Sequence, residues 1–134
     1  MIYFDTDVLI NYLVIQDVKK NQESVSLYKN ASKNGLFFCS LLCLQETTFV
    51  LSRLNISPDI IENIVSHWLT TSSIGYTSAH YSRAMELAGK VGFGSINDCI
   101  HTAIAESFCT ELYTYNRADF KKIRKFTDLK ISIF

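Results

Sequence analysis

The sequence predicts a single α/β domain, in which helices cover both faces of a parallel sheet of about five strands. Short apolar runs alternate along the chain with longer segments of helical spacing, as crossover connections between parallel strands require. The chain has 134 residues, the size of one domain, and its one proline and five glycines are too few for a turn-rich sandwich. We therefore expect residues 1–134 to form one three-layer α/β/α domain.

Each element follows from a local pattern. Apolar runs predict strands over 2–4, 36–39, 73–77, 112–115 and 131–134. Apolar residues at helical spacing predict a helix from residue 7, and further helices over 21–31, 41–53, 58–69, 78–91 and 96–108. Gly35 is expected to end the second of these helices, and the pair Ser57-Pro58 to begin the fourth.

Charge and cysteine content narrow the possible functions. Thirteen basic residues balance thirteen acidic ones, so any contact with nucleic acid must come from a local patch. The four cysteines lie in apolar segments, which favours buried thiols over a zinc site or a disulfide framework. The first residues have neither the basic region nor the apolar run of a signal peptide, and we expect a cytoplasmic protein.

Polar residues follow two of the predicted strands. Asp5 comes directly after the first strand, and Asn116 and Asp119 come after the fourth. Ligands of open parallel sheets bind beyond the carboxyl ends of the strands, so these residues share a candidate site if the two strands are neighbours. Helix capping is the structural alternative for Asp5, Thr6 and Asp7, although one capping residue would be enough.

Two further acids lie on predicted helices. Glu46 has the helical spacing of Leu42, Phe49 and Val50, which places a carboxylate on an apolar stripe. Because a buried charge needs compensation, a buried arginine or a metal ion is expected beside it. Asp98 stands in the first turn of its helix, where spacing does not separate a site residue from an acid that favours the helix dipole.

Four stretches together resemble the PIN-domain family and, within it, the VapC-type toxins of toxin–antitoxin pairs. They are IYFDTDVLI at 2–10, LQETTFVL at 44–51, NDCIHTAIA at 97–105 and LYTYNRADF at 112–120. The resemblance implies a five-stranded parallel sheet between helices, a Mg²⁺ or Mn²⁺ site and endoribonuclease activity. It also implies a VapB-type antitoxin as partner and a homodimer.

The resemblance also assigns roles to residues. The catalytic, metal-binding acids correspond to Asp5, Glu46, Asp98 and Asp119. Asn116 competes with Asp119 for the fourth position and is otherwise a polar ligand to water or substrate. Thr6 and Thr114 match hydroxyl positions that support the site, whereas Asp7 departs from the asparagine or serine often found at its position.

A basic run follows the last of these motifs. Arg117, Lys121 and Lys122, with Arg124 and Lys125 behind them, offer positive charge beside the acids, and we expect the first three to hold RNA phosphates. The structural alternative is a solvated helix face.

Other functions stay open on the sequence alone. A housekeeping RNA-processing PIN nuclease would need the same acids. A phosphohydrolase of the haloacid-dehalogenase type would use Asp5 as nucleophile and Asp7 as acid/base, but it leaves Glu46 unexplained. A non-catalytic binding module of the same fold is a third class.

Overall fold

The computed structural model describes the backbone of residues 1–134 and the side chains of all residues except 71–73. The strands are β1 (Ile2–Phe4), β2 (Phe37–Ser40), β3 (Ser73–Ile74), β4 (Glu111–Thr114) and β5 (Lys130–Ile133). They pair in parallel in the order β3-β2-β1-β4-β5.

Four strands of three or four residues carry the sheet, and β3 adds only two residues beside β2. The expected count of about five is therefore reached only by including β3. The apolar run over 73–77 forms a strand only at its start, and the side chain of residue 73 lies outside the described residues.

Besides a short 3₁₀ helix over Phe93–Ser95, seven α-helices are found in the described chain. They are α1 (Thr6–Leu13), α2 (Val18–Lys33), α3 (Leu41–Arg53), α4 (Pro58–Ser72), α5 (Ser78–Val91), α6 (Ile96–Phe108) and α7 (Arg117–Ile123). Helix α2 begins earlier than expected, because the Asp17 carboxylate caps it by accepting the Lys20 N–H at 3.0 Å. Helix α7 is not among the predicted helices. Its two buried residues, Phe120 and Ile123, are too few to form a clear apolar stripe in the sequence.

The direction of the chain changes at the centre of the sheet. From β1 the strands run outward to β2 and β3, and the chain then returns to the other side of β1 to form β4 and β5. Because crossovers between parallel strands are right-handed, the two halves place their helices on opposite faces of the sheet. The three-layer α/β/α prediction is therefore confirmed, with a topological switch point between β1 and β4, where such sheets bind ligands.

The central strand is buried. Tyr3 and Phe4 on β1 have no exposed surface, and their side chains alternate between the two helix layers, toward His101 on α6 and Tyr28 on α2. No disulfide joins the four cysteines, which all lie in the described part of the chain, and three of them are buried. Among the described residues, no helix is both long and apolar enough to cross a bilayer.

Candidate active site

Asp5 lies at the switch point, directly after β1, and both of its predicted roles occur together. Its Oδ1 accepts the backbone N–H of Thr6 at 2.8 Å and caps α1. Its Oδ2 accepts a hydrogen bond at 2.8 Å from the hydroxyl of Thr114, the last residue of the neighbouring strand β4. Only 5% of Asp5 is exposed, so the carboxylate is held rigidly between the two strand ends.

Three of the predicted acids meet at one cavity of about 380 Å³ beside this edge of the sheet. Asp5 reaches it from β1, Glu46 from α3 and Asp98 from the first turn of α6. The predicted supporting residues Thr6 and Asn116 also line it, as do Asp7 and His101. Elements far apart in the chain therefore bring their carboxylates to one place.

Glu46 is less buried than its spacing predicted. Phe49, which shares its side of α3, is 65% exposed, so the apolar stripe is not wholly part of the core, and the Glu46 side chain itself is 26% exposed. Its Oε2 accepts hydrogen bonds from the Thr6 hydroxyl at 2.5 Å and from His101 Nε2 at 2.9 Å. The compensating partner within the protein is thus a histidine rather than an arginine.

His101 was not among the site residues predicted from the sequence. It is 1% exposed, and it lies three residues after Asp98 on α6. That spacing on one helix face was the signal available in the sequence. Burial opposes a charge on the ring, but the neighbouring Cys43, the hydrogen bond to Glu46 and the charge of Asp5 raise the pKa of His101 above its ordinary value.

Asp98 and Asp119 are joined through Asn116. The Asn116 amide nitrogen lies 3.4 Å from both carboxylate oxygens of Asp98 and 3.1 Å from Oδ2 of Asp119. Asn116 also caps α7, since its Oδ1 accepts the Asp119 N–H at 3.3 Å. Ser95, a second residue that the sequence analysis missed, donates its hydroxyl to Asp119 Oδ1 at 2.6 Å.

The acids have different electrostatic environments. Burial, followed by the charge of Asp5, raises the pKa of Asp98 to about 7. Burial also raises the pKa of Asp5. For Glu46, burial alone would raise the pKa, but the hydrogen bond and charge of His101 bring it below the ordinary value. Hydrogen bonds from Ser95 and Asn116 likewise lower the pKa of Asp119.

These oxygen ligands suit a hard divalent cation. Within the described residues, no group of three or more His, Cys, Asp or Glu side chains is arranged to enclose a metal ion. Mg²⁺ does not need such a cage, because it keeps several waters and binds through one or two carboxylates. The desolvated, mutually repelling carboxyls of Asp5 and Asp98 are where a cation would relieve the most unfavourable charge.

The predicted RNA-binding residues lie on the surface of α7. Arg117, Lys121 and Lys122 are all exposed, on the helix that also carries Asp119. The charge of Lys122, three residues after Asp119 on α7, contributes after the hydrogen bonds to the lowered pKa of Asp119. Positive charge therefore lies beside the carboxylates, although the chain has no net charge.

The fold is similar to that of solved toxin structures. A toxin–antitoxin complex from Klebsiella pneumoniae matches with a TM-score of 0.67 and 20% identity, covering 98% of this chain and 100% of that one. VapBC2 from Rickettsia felis, bound to a promoter DNA fragment, matches with a TM-score of 0.70 and 18% identity, covering 100% and 99%. VapC20 from Mycobacterium tuberculosis, described as cleaving the sarcin–ricin loop, matches with a TM-score of 0.73 and 18% identity, covering 97% and 99%.

Sequence comparison gives the family. The curated proteins include no match to this chain. The PIN domain family, in contrast, matches over residues 2–126, nearly the whole length and all four of the motifs that carry the resemblance. The chain belongs to the PIN domain family.

Proposed function

We propose that this chain is a Mg²⁺- or Mn²⁺-dependent endoribonuclease and the toxin of a VapBC-type toxin–antitoxin pair. The observation that supports it best is the meeting of Asp5, Glu46 and Asp98 at one cavity, at the switch point of a parallel sheet. Helix capping accounts for the position of Asp5, but not for the meeting of three carboxylates from separate elements at one cavity. A nuclease that uses a hard cation does account for them.

The metal would lie among Asp5, Glu46, Asp98 and Asp119, where one or two of the carboxylates would bind it directly and the others would bind its water molecules. When bound, such an ion supplies positive charge against the scissile phosphate and lowers the pKa of a water molecule. The Thr114 hydroxyl orients Asp5 and the Thr6 hydroxyl donates to Glu46, so these carboxylates are already positioned before the substrate arrives.

The RNA would approach across α7. Arg117, Lys121 and Lys122 would bind phosphates on either side of the cleaved bond, an interaction that positions the chain without selecting a sequence. Asn116 lies between Asp98 and Asp119 and offers an amide to the substrate or to a water. Attack by water rather than by the ribose hydroxyl would leave a 5′-phosphate and a 3′-hydroxyl.

The toxin assignment draws on the similar structures. Two of them are described as toxin–antitoxin or VapBC assemblies, and the third as a toxin that cleaves the sarcin–ricin loop. We propose a VapB-type antitoxin as partner on this basis; a homodimer and a cytoplasmic location stay predictions. The haloacid-dehalogenase-type alternative is set aside, since the chain belongs to another family and Asp7 is bound to the backbone of Tyr115.

Cleavage of RNA by the purified chain tests the nuclease proposal. We expect Mg²⁺ or Mn²⁺ to be required, EDTA to stop the reaction, and Asp98→Asn and Glu46→Gln to abolish it. Asp59→Asn and Glu62→Gln are matched controls, because both acids are exposed on α4, and Asp59 occupies a first helical turn as Asp98 does. Activity that survives in Asp98→Asn and Glu46→Gln would refute the assignment.

Expression in cells tests the toxin proposal separately. The wild-type chain should arrest growth, the Asp98→Asn variant should not, and co-expression of the product of a small neighbouring gene should restore growth. An active nuclease that does not affect growth, and has no such neighbouring gene, would indicate housekeeping RNA processing instead.

A further inference from the structure

A buried histidine lies beneath the acid cluster, and the proposed chemistry assigns it no role of its own. His101 is 1% exposed, and its ring lies between α6 and β1. Its Nε2 is 2.9 Å from Glu46 Oε2 and 3.8 Å from Asp5 Oδ1, and its Nδ1 is 2.7 Å from the Tyr3 hydroxyl. Two of the predicted metal ligands are therefore its neighbours.

We propose that His101 and Tyr3 form a positioning pair that fixes Glu46 for metal binding, with Oε2 held inward and Oε1 left for the ion. The inference rests on the proposed function, since it concerns the same site. Oε2 already has two donors, Thr6 and His101, whereas among the described side chains Oε1 has only a long contact of 3.4 Å from the Asn97 amide. A flexible glutamate side chain thus presents one defined oxygen.

The direction of the contact between His101 and Glu46 does not depend on the protonation state of the ring. A carboxylate only accepts hydrogen bonds, so Nε2 carries the hydrogen in both the neutral and the charged imidazole. The Tyr3 hydroxyl can donate to Nδ1 or accept from it, and it satisfies the second ring nitrogen in either case. The ring is therefore held at both ends.

The Tyr3 hydroxyl has further hydrogen-bond partners in the core. Its hydroxyl lies 2.6 Å from the Ser40 hydroxyl, at the end of β2, and accepts from the Cys43 thiol at 3.2 Å. Tyr3, Ser40 and Cys43 have no exposed surface. The orientation of Glu46 is thus connected through His101 and Tyr3 to the buried strands β1 and β2. Outer partners of this kind typically change metal affinity by roughly 10–100-fold when they are removed.

A histidine that only fills the core would affect stability and nothing else. Here the contact reaches a partly exposed carboxylate at the cavity, so removing it should also change metal binding. The readout is the affinity of the purified full chain for Mn²⁺ alone, measured by electron paramagnetic resonance or calorimetry, with the melting temperature of each variant recorded beside it.

The variants separate the packing of the His101 ring in the core from its hydrogen bond to Glu46. His101→Leu removes both hydrogen bonds, and we expect Mn²⁺ affinity to fall by roughly 10–100-fold. His101→Gln keeps an N–H donor for Glu46 and should restore most of that affinity. Tyr3→Phe removes one buried oxygen but leaves the bond between His101 and Glu46, and we expect a loss of Mn²⁺ affinity smaller than that of His101→Leu. Tyr12→Phe is the matched control, because Tyr12 stacks on Tyr28 away from the acids.

The possible outcomes separate a failure of this inference from a failure of the proposed nuclease function. If the wild type binds Mn²⁺ and both Tyr3→Phe and His101→Leu bind it with the same affinity, the positioning pair is overturned and the nuclease proposal is left intact. A wild-type chain that binds no Mn²⁺ would overturn both. If His101→Leu does not fold, the comparison of Tyr3→Phe and His101→Gln with the wild type decides the matter.

Discussion

The carboxylate of Asp7 accepts the backbone N–H of Tyr115 at 3.0 Å, and this bond ties the first turn of α1 to the residue that follows β4. Its other oxygen, Oδ1, is buried and has no hydrogen-bond partner among the described residues. Burial, followed by the charge of Asp5, raises the pKa of Asp7 to about 7. Asp7 therefore links two elements, and its negative charge is unfavourable where it lies.

We expect Asp7→Asn to keep RNA cleavage and to stabilise the metal-free protein. The amide oxygen can still accept the Tyr115 N–H, and the charge repelled by Asp5 is gone. The gain should be on the order of 1 kcal/mol at neutral to alkaline pH, measured by chemical unfolding in EDTA. A loss of cleavage as large as that of Asp98→Asn would instead place Asp7 among the catalytic residues.

The position of the acids could be predicted because it depends on the ends of regular elements. Asp5 directly follows a strand that is apolar throughout, and parallel strands end at one edge of the sheet, so its place followed from the alternation of elements. The boundaries of α3 and α6, which carry Glu46 and Asp98, also agree with the expected helices. Local spacing fixed these features.

The contacts between elements could not be predicted in the same way. His101 and Ser95 act on acids that are 55 and 24 residues away, and no local pattern encodes such pairs. Phe49 shows the same limit, since its helical spacing matched a buried stripe but the side chain is exposed. Tertiary packing decides which side of a helix is covered, and periodicity alone does not reveal it.

Metal-free stability should decrease as the pH rises toward and above neutrality. The pKa of Asp98 is about 7 in the folded chain against an ordinary value of 3.8, so the folded state holds more protons than the unfolded state between these values. Stability is therefore lost as the pH rises through this window, and the whole penalty remains above it. In EDTA, we expect a lower melting temperature at about pH 8 than at about pH 5.

Asp98→Asn isolates the contribution of this carboxyl. The variant cannot ionise at position 98, so its stability should fall less over the same pH range, and at about pH 8 it should exceed the wild type by about 1–2 kcal/mol. Asp59→Asn, which changes an exposed acid, should follow the wild type at both pH values. Parallel pH curves for Asp98→Asn and wild type would show that Asp98 is not desolvated in the folded chain.

Substitutions at Asp119 and Asn116 should show that Asp119 is a metal ligand and that Asn116 is a helix cap. Asp119→Asn removes a carboxylate whose pKa is lowered by Ser95, and we expect it to weaken Mn²⁺ binding strongly. Asn116→Ala removes the cap of α7, and we expect a loss of about 1 kcal/mol in stability with a smaller effect on Mn²⁺ affinity. Calorimetry and chemical unfolding measure the two effects. The reverse result would make Asn116 the fourth ligand.

The basic surface of α7 should control how RNA binding depends on salt. Each phosphate contact with single-stranded RNA contributes about 0.7 to the slope of log affinity against log salt concentration. In the inactive Asp98→Asn background, we expect Arg117→Gln, Lys121→Gln and Lys122→Gln each to reduce the slope by about that amount and to weaken binding equally for RNAs of different sequence. Lys33→Gln, in the last turn of α2, is the control, because its exposed lysine lies outside α7. Fluorescence anisotropy over a salt series measures these slopes. Unchanged slopes in all three variants would mean that α7 presents only a solvated face, and that the RNA approaches the acids from another side.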